Sequence, residues 1–86
     1  MARASAEIQR LIGRTVREAR VQKGLTQAQL SDLAGLTQGY VSELEGGRRN
    51  PSVQTLCAIA LVVGKTPSEL LSEFTIKRLH DILEAP

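Results

Sequence analysis

The chain has 86 residues and a net charge of +2, and 42% of its residues are hydrophobic, although only Tyr40 and Phe74 are aromatic. This length suits a single domain, and a core of Leu, Ile, Val and Ala favours packed α-helices over a β-sandwich. A single cysteine, Cys57, excludes an internal disulfide, and no apolar run is long enough for a membrane span, so we expect a cytoplasmic protein with no membrane partner.

The positive charge is concentrated in two parts of the chain. Arg48 and Arg49 form a basic pair, while residues 1–25 contain two acidic side chains and six basic ones: Arg3, Arg10, Arg14, Arg17, Arg20 and Lys23. A basic stretch is often no more than a solvated helix surface. This distribution nevertheless also suits contact with the phosphate groups of nucleic acid.

The first predicted helix spans about residues 7–23 and ends at Gly24, which favours the left-handed backbone found after helices. Apolar residues recur along it at helical spacing and predict one buried face. The residues of that face are Ile8, Leu11, Ile12, Val16 and Ala19.

Two short helices are predicted next. Thr26 and Gln29 form a capping box that begins the second helix, Gly35 ends it, and Thr37 caps the third. The apolar positions predict which sides are buried: Leu30, Leu33 and Ala34 in the second helix, and Val41 and Leu44 in the third.

The remaining chain predicts three more helices. Ser52 caps a fourth helix over residues 53–63, whose run LCAIALVV predicts a central buried helix with Cys57 in the core. Thr66, followed by proline and a capping-box acid, begins a fifth helix that extends to about residue 72. Thr75 is expected to cap a last helix that reaches Leu83.

Residues 27–46, QAQLSDLAGLTQGYVSELEG, therefore have the pattern of two short helices joined by a tight turn. Together with the runs REARVQKGLTQ and YVSELEGGRRNPSVQTL, this segment resembles the lambda-repressor-like (Cro/C1-type, Xre) family over about residues 8–71. The resemblance implies an all-α fold, a five-helix DNA-binding domain with a helix-turn-helix, here with a short C-terminal helix added. We expect the domain to cover residues 1–72 and a dimerisation extension to cover residues 73–86.

The function that this resemblance implies is sequence-specific binding of double-stranded DNA by a transcriptional regulator. A homodimer would bind a palindromic operator, with autoregulation and a contact to RNA polymerase as further expectations. The layout is most similar to stand-alone controller proteins of restriction–modification systems, or to small phage and plasmid repressors. Repression and activation both stay open. The alternatives are an antitoxin, or a protein-interaction module that has lost DNA binding.

The resemblance also assigns DNA-binding roles to the turn-flanking helices and the loop after them. Gln27 would contact a phosphate and brace Gln38, whose amide can pair with adenine N6 and N7. Tyr40 would contact the DNA backbone or be a half-buried packing residue. Glu43 would accept a hydrogen bond from cytosine N4 or be a tolerated charge. The full candidate set is Gln27, Thr37, Gln38, Gly39, Tyr40, Ser42, Glu43, Arg48, Arg49 and Asn50.

Two structural roles complete these expectations. The family resemblance implies that Arg20 and Glu45 form an ion pair between the first and third helices. The apolar residues near the C-terminus predict a dimer interface, although the last helix could instead fold back on its own domain. The predicted interface consists of Leu70, Leu71, Phe74, Ile76, Leu79, Ile82 and Leu83.

Enzymatic chemistry has little support in the sequence. One cysteine and one histidine do not suffice for a typical zinc site, and the chain lacks a glycine-rich phosphate loop and a nucleophile elbow. We therefore expect no catalytic residues, no metal, no cofactor and no small-molecule ligand.

Overall fold

The computed structural model describes the backbone of residues 2–84 and the side chains of residues 4–84, so the side chain of Arg3 and the outer ends of the two expected domains lie outside the described residues. The described chain is helical, without strands. Its helices follow the predicted order, although the first begins at Ala2 rather than near residue 7. They are α1 (Ala2–Gln22), α2 (Gln27–Ala34), α3 (Gln38–Glu45), α4 (Val53–Val63), α5 (Pro67–Leu70) and α6 (Ile76–Leu83).

Hydroxyl side chains define where five of these helices begin. Each predicted cap accepts a hydrogen bond from the backbone N–H three residues later, and α2 and α5 have complete capping boxes. In α5 the hydrogen bond from the backbone N–H of Thr66 lowers the pKa of the Glu69 carboxyl. These interactions are local, which explains why the helix starts were predictable. The caps are Thr26, Thr37, Ser52, Thr66 and Thr75.

The core lies where α1, α2, α3, α4 and α5 meet. Its fully buried side chains come from every one of these helices, and they include Val16, Leu30, Val41, Leu44, Ile59 and Leu70. The helix-turn-helix pair α2 and α3 packs together, while α3 also packs against α1 and α2 against α4. Helix α3 is therefore supported from two sides.

Two predictions about the buried faces were wrong. Leu33 is 65% exposed, and the buried neighbour of Leu30 is instead Ser31, whose hydroxyl donates a hydrogen bond to the carbonyl oxygen of Ala28. Helix α4 is buried on one face only, because Leu61 is 83% exposed and Cys57 is exposed too. Cys57 and Leu61 are four positions apart and so lie on the same face of α4. No other helix within residues 2–84 covers this face fully.

The C-terminal segment is attached to α1. Glu73, in the turn before α6, accepts hydrogen bonds from Arg14 Nη2 at 2.6 Å and Thr15 Oγ1 at 3.3 Å, and α6 itself packs against α1. Leu70 is only 1% exposed, so its predicted place in a dimer interface was wrong; it closes the core of its own chain. Leu71 and Phe74 are partly buried against the same core.

Helix α6 nevertheless keeps apolar surface. Ile76 is 78% exposed, Leu83 is exposed as well, and Leu79 and Ile82 are half-buried. Helix α6 is thus folded back on its own domain in part, while the dimer interface stays a prediction. Within residues 2–84 no helix is both long and apolar enough to cross a membrane.

Candidate nucleic-acid interface

A buried ion pair ties the end of α3 to α1. Arg20 donates from Nε to Glu45 Oε2 at 2.6 Å and from Nη2 to Glu45 Oε1 at 2.9 Å, and its Nη1 donates to the carbonyl oxygen of Leu25 at 2.8 Å. The side chains of Arg20 and Glu45 are only 12% and 3% exposed. The hydrogen bond from Arg20 to Glu45 raises the pKa of the guanidinium, so Arg20 stays charged. The ion pair expected from the family resemblance is therefore present.

Gln27, the first residue of α2, joins this network. Its Nε2 donates to Glu45 Oε1 at 3.1 Å, whereas no hydrogen bond connects Gln27 to Gln38 in the described part of the chain. The expected bracing of Gln38 by Gln27 is thus absent, because the amide instead donates to a charged carboxylate, which is a stronger acceptor than another amide. Gln27 is consequently held beside the end of α3.

The first turn of α3 presents polar groups to the solvent. Thr37 uses its hydroxyl oxygen to cap the helix, since it accepts from the backbone N–H of Tyr40 at 3.1 Å. Gln38, Gly39 and Ser42 are exposed. A Cβ added to Gly39 would have no heavy atom within 4 Å, so the packing of this chain does not require a glycine there. The exposed positions are free to contact a partner.

Glu43 and Arg49 form a second, more exposed ion pair. Arg49 donates to Glu43 Oε1 from Nη2 at 3.0 Å and from Nε at 3.3 Å, and its Cζ lies 5.6 Å from the centre of the Tyr40 ring. Tyr40 is also partly buried against the core. The half-buried packing expected as one alternative for Tyr40 is therefore observed, together with a cation–π contact.

The loop after α3 contributes exposed basic and polar side chains. Arg48 and Asn50 are exposed, and Gly47 has a φ of +77°, a backbone conformation that favours glycine. A Cβ on Gly47 would also lie 3.1 Å from the Cα of Arg10, so this loop passes close to α1. The loop is thereby held next to the C-terminal end of α3.

Arg17 belongs to the basic stretch that suited phosphate contact, but it was not in the set of candidate DNA-binding residues. This exposed residue of α1 lines an open polar cleft with Gln27, Ser42 and Arg48, beside the Arg20–Glu45 ion pair. Because Arg20 is neutralised by Glu45, Arg17 and Arg48 give the cleft a net positive charge. The available signal was that Arg17 precedes Arg20 by three residues, which places both on one side of a helix.

Comparison with known proteins agrees with this arrangement. A Helix-turn-helix family model (HTH_3) matches residues 16–70. The uncharacterized HTH-type transcriptional regulator y4dJ of Sinorhizobium fredii is 39% identical over 66 residues, which cover 77% of this chain and 86% of that protein. The immunity repressor protein of Bacillus phage phi105 is 35% identical over 65 residues, 76% of this chain but 45% of that protein.

A solved structure gives the same result. The crystal structure of the restriction-modification controller protein C.AhdI from Aeromonas hydrophila is similar, with a TM-score of 0.72 and 36% identity over 74% of this chain and 97% of that one. The residues that the family model matches, 16–70, contain α2, α3, the Arg20–Glu45 pair and the following loop. The chain therefore belongs to the lambda-repressor-like (Xre-type) helix-turn-helix family, whose members are DNA-binding transcriptional regulators.

Proposed function

We propose that this chain is a sequence-specific regulator that binds a palindromic double-stranded DNA operator as a homodimer. The observation that supports this proposal is the surface of α3, where Gln38 and Ser42 are exposed on a helix whose far end is fixed by the buried Arg20–Glu45 pair. A rigid helix with exposed amide and hydroxyl groups suits the reading of base edges in the major groove.

In this proposal, base reading and phosphate contact are divided between neighbouring elements. Gln38 pairs with adenine, and Ser42 contacts a base edge or the DNA backbone. The N-terminus of α2 at Gln27 offers unpaired backbone N–H groups to a phosphate, and the basic side chains Arg17 and Arg48 flank it. Asn50, exposed in the loop after α3, contacts the DNA backbone too. Phosphate contacts set the register, while base contacts select the sequence.

The homodimer is proposed to form through α6. Ile76, Leu79, Ile82 and Leu83 leave apolar surface exposed along this helix. A two-fold dimer that places its two α3 helices about 34–36 Å apart would match successive major grooves on one side of the duplex. Palindromic half-sites follow from the two-fold symmetry.

The proposed regulation is control of a promoter by concentration. The similarity to a phage immunity repressor and to a restriction-modification controller supports a regulatory role. We propose that the operator lies near the protein's own promoter, with RNA polymerase as a neighbouring partner. Dimerisation and operator occupancy both follow mass action, so the response would steepen with protein concentration. The position of the operator relative to the polymerase site would decide between repression and activation.

The first test is selection of binding sequences from a random duplex library, followed by affinity measurements at several salt concentrations. We expect a palindromic consensus and an affinity that falls linearly in log–log plots against salt. Replacing Gln38 and Ser42 together by alanine should abolish the sequence preference. The matched control replaces Gln22 and Ser72, an exposed glutamine and serine outside the α3 surface, and should keep the preference.

The alternative functions predict a different result. Weak, sequence-independent binding by the unaltered protein would contradict the operator-binding proposal and support a protein-interaction module. Co-purification of a small protein bound to α6, in place of a second copy of this chain, would support the antitoxin interpretation. A consensus that survives the Gln38 and Ser42 replacements would show that α3 is not the reader.

A further inference from the structure

Glu43 is an acidic side chain on the surface of α3 that also carries Gln38 and Ser42. Near DNA an isolated carboxylate would be repelled by the phosphates. Arg49 provides the opposite charge, because two of its nitrogens donate to Glu43 at 3.0 and 3.3 Å. The pair joins α3 to the loop that follows it.

The geometry of this pair leaves one carboxylate oxygen free. Both Arg49 nitrogens donate to Oε1, so Oε2 of Glu43 has no hydrogen-bond partner within residues 4–84. The centre of the Tyr40 ring lies 5.6 Å from Cζ of the same guanidinium, which is within the range of a cation–π contact. Arg49 is therefore engaged by two groups of its own chain, whereas the exposed Arg48 forms no ion pair in the described structure.

We propose that Glu43 and Arg49 act as one base-reading unit. Arg49 neutralises and orients the carboxylate, and the free Oε2 accepts a hydrogen bond from the N4 amino group of a cytosine in the major groove. Adenine is a poorer match, because its N7 acceptor lies beside the N6 donor and repels a carboxylate. This inference rests on the proposed DNA-binding function, and it makes Arg49 a positioning residue rather than a phosphate contact.

Selection with the Glu43→Gln variant tests the base contact. The amide keeps the shape of the side chain but adds a donor and removes the charge. We expect the unaltered protein to prefer cytosine at one position of each half-site. In the variant that preference should fall by about 5- to 150-fold, the value of one good base contact, while the positions read by Gln38 stay unchanged.

A double-mutant cycle tests the role of Arg49. Affinity for the selected consensus duplex is measured for Arg49→Ala in the unaltered protein and in the Glu43→Gln background. Arg49→Ala should weaken binding in the unaltered protein, because it leaves a bare carboxylate near the phosphates. In the Glu43→Gln background it should cost much less, with a coupling between the two sites of about 2- to 150-fold.

Arg48→Ala is the matched control, since it removes a neighbouring exposed arginine from the same loop. Its effect should be the same in both backgrounds, and it should reduce the slope of log affinity against log salt by about 0.9, as expected for one lost phosphate contact. Circular dichroism and thermal unfolding verify that each variant is folded.

Different failures have different meanings. Equal losses for Arg49→Ala in both backgrounds would overturn the inference and make Arg49 a phosphate contact. An unchanged consensus for Glu43→Gln would overturn it as well. In both cases the proposed function would stand, because the unaltered protein would still select an operator. Absence of any consensus for the unaltered protein would overturn the proposed function and this inference together.

Discussion

At the scale of single residues, Gly13 is the position where packing most strictly requires a glycine. It lies in α1 where that helix crosses the C-terminal end of α3, and a Cβ there would clash with the carbonyl oxygen of Leu44 and approach Glu45. Gly13 is buried within α1, whose other buried residues have apolar side chains. A glycine within a helix weakens it by roughly 1 kcal/mol relative to alanine. The close approach of α1 and α3 explains why the chain has glycine at this position despite that cost.

We expect Gly13→Ala to lower the free energy of unfolding by about 1–3 kcal/mol, because the added methyl group forces α1 and α3 apart. The measurement is urea denaturation followed by circular dichroism. Operator affinity should also fall, since α3 and its Arg20–Glu45 support would move. Gly39→Ala is the matched control, a glycine within a helix that has open space around it.

Gly39→Ala itself should raise the free energy of unfolding by up to about 1 kcal/mol, through the better helix propensity of alanine. If Gly13→Ala were as stable as Gly39→Ala, the close approach of the helices would not be what requires glycine at position 13. A loss of operator affinity in Gly39→Ala, despite its unchanged fold, would indicate that the DNA approaches the backbone of α3 at this position.

At the scale of elements, the relation between α1 and α3 depends on a buried charge pair. Removing one partner of such a pair leaves the other buried without compensation, at a cost of about 3–5 kcal/mol. Because Gln27 also donates to Glu45, the same carboxylate fixes the start of α2 relative to the end of α3. The angle between the two helices of the helix-turn-helix is thereby coupled to α1.

Glu45→Gln should consequently lower the free energy of unfolding by about 3–5 kcal/mol, as measured by urea denaturation. The comparison variant is Arg10→Ala, which removes the exposed ion pair between Arg10 and Glu7 on the same helix. Exposed pairs contribute about 0–1 kcal/mol, so Arg10→Ala should have little effect. Equal losses of stability in the two variants would contradict the structural role assigned to the Arg20–Glu45 pair.

At the scale of the whole molecule, exposed apolar side chains occur on several helices, among them α4 and α6. Leu61 is exposed on α4 and Ile76 on α6, so apolar exposure alone does not identify an interface. Helix α6 is favoured because Leu79, Ile82 and Leu83 extend its apolar surface, and a stable interface needs a contiguous patch. This choice can be tested directly.

Ile76→Lys should convert a dimer into a monomer at micromolar concentration, because it places a charge in the proposed two-fold contact. Sedimentation equilibrium over a range of concentrations measures the change. Leu61→Lys makes the same chemical change on α4 and should leave the dimer intact. The reverse result, with dissociation caused by Leu61→Lys alone, would move the interface to α4, and a monomeric unaltered protein would contradict the proposed homodimer.

The helix order, the caps and the outward side of α3 were predictable from the sequence. A capping hydroxyl such as Thr66 interacts with a backbone N–H three residues away, so the local sequence contains the whole interaction. The Arg20–Glu45 pair spans 25 positions, and it was expected only because the chain resembles a known family. The exposure of Cys57 was not predictable, because an apolar helix does not reveal which of its faces other helices will cover.

The sequence by itself thus determined where the five capped helices begin and which residues of α3 are polar, since those properties depend on neighbours within one turn. Only the tertiary structure decided that Arg17 joins Gln27 in one cleft, that Glu43 is neutralised by Arg49, and that Gly13 lies against α3. These relations join side chains from different elements or across a loop. Their existence depends on the packing of α1, α2 and α3 in three dimensions, which a pattern along one helix does not contain.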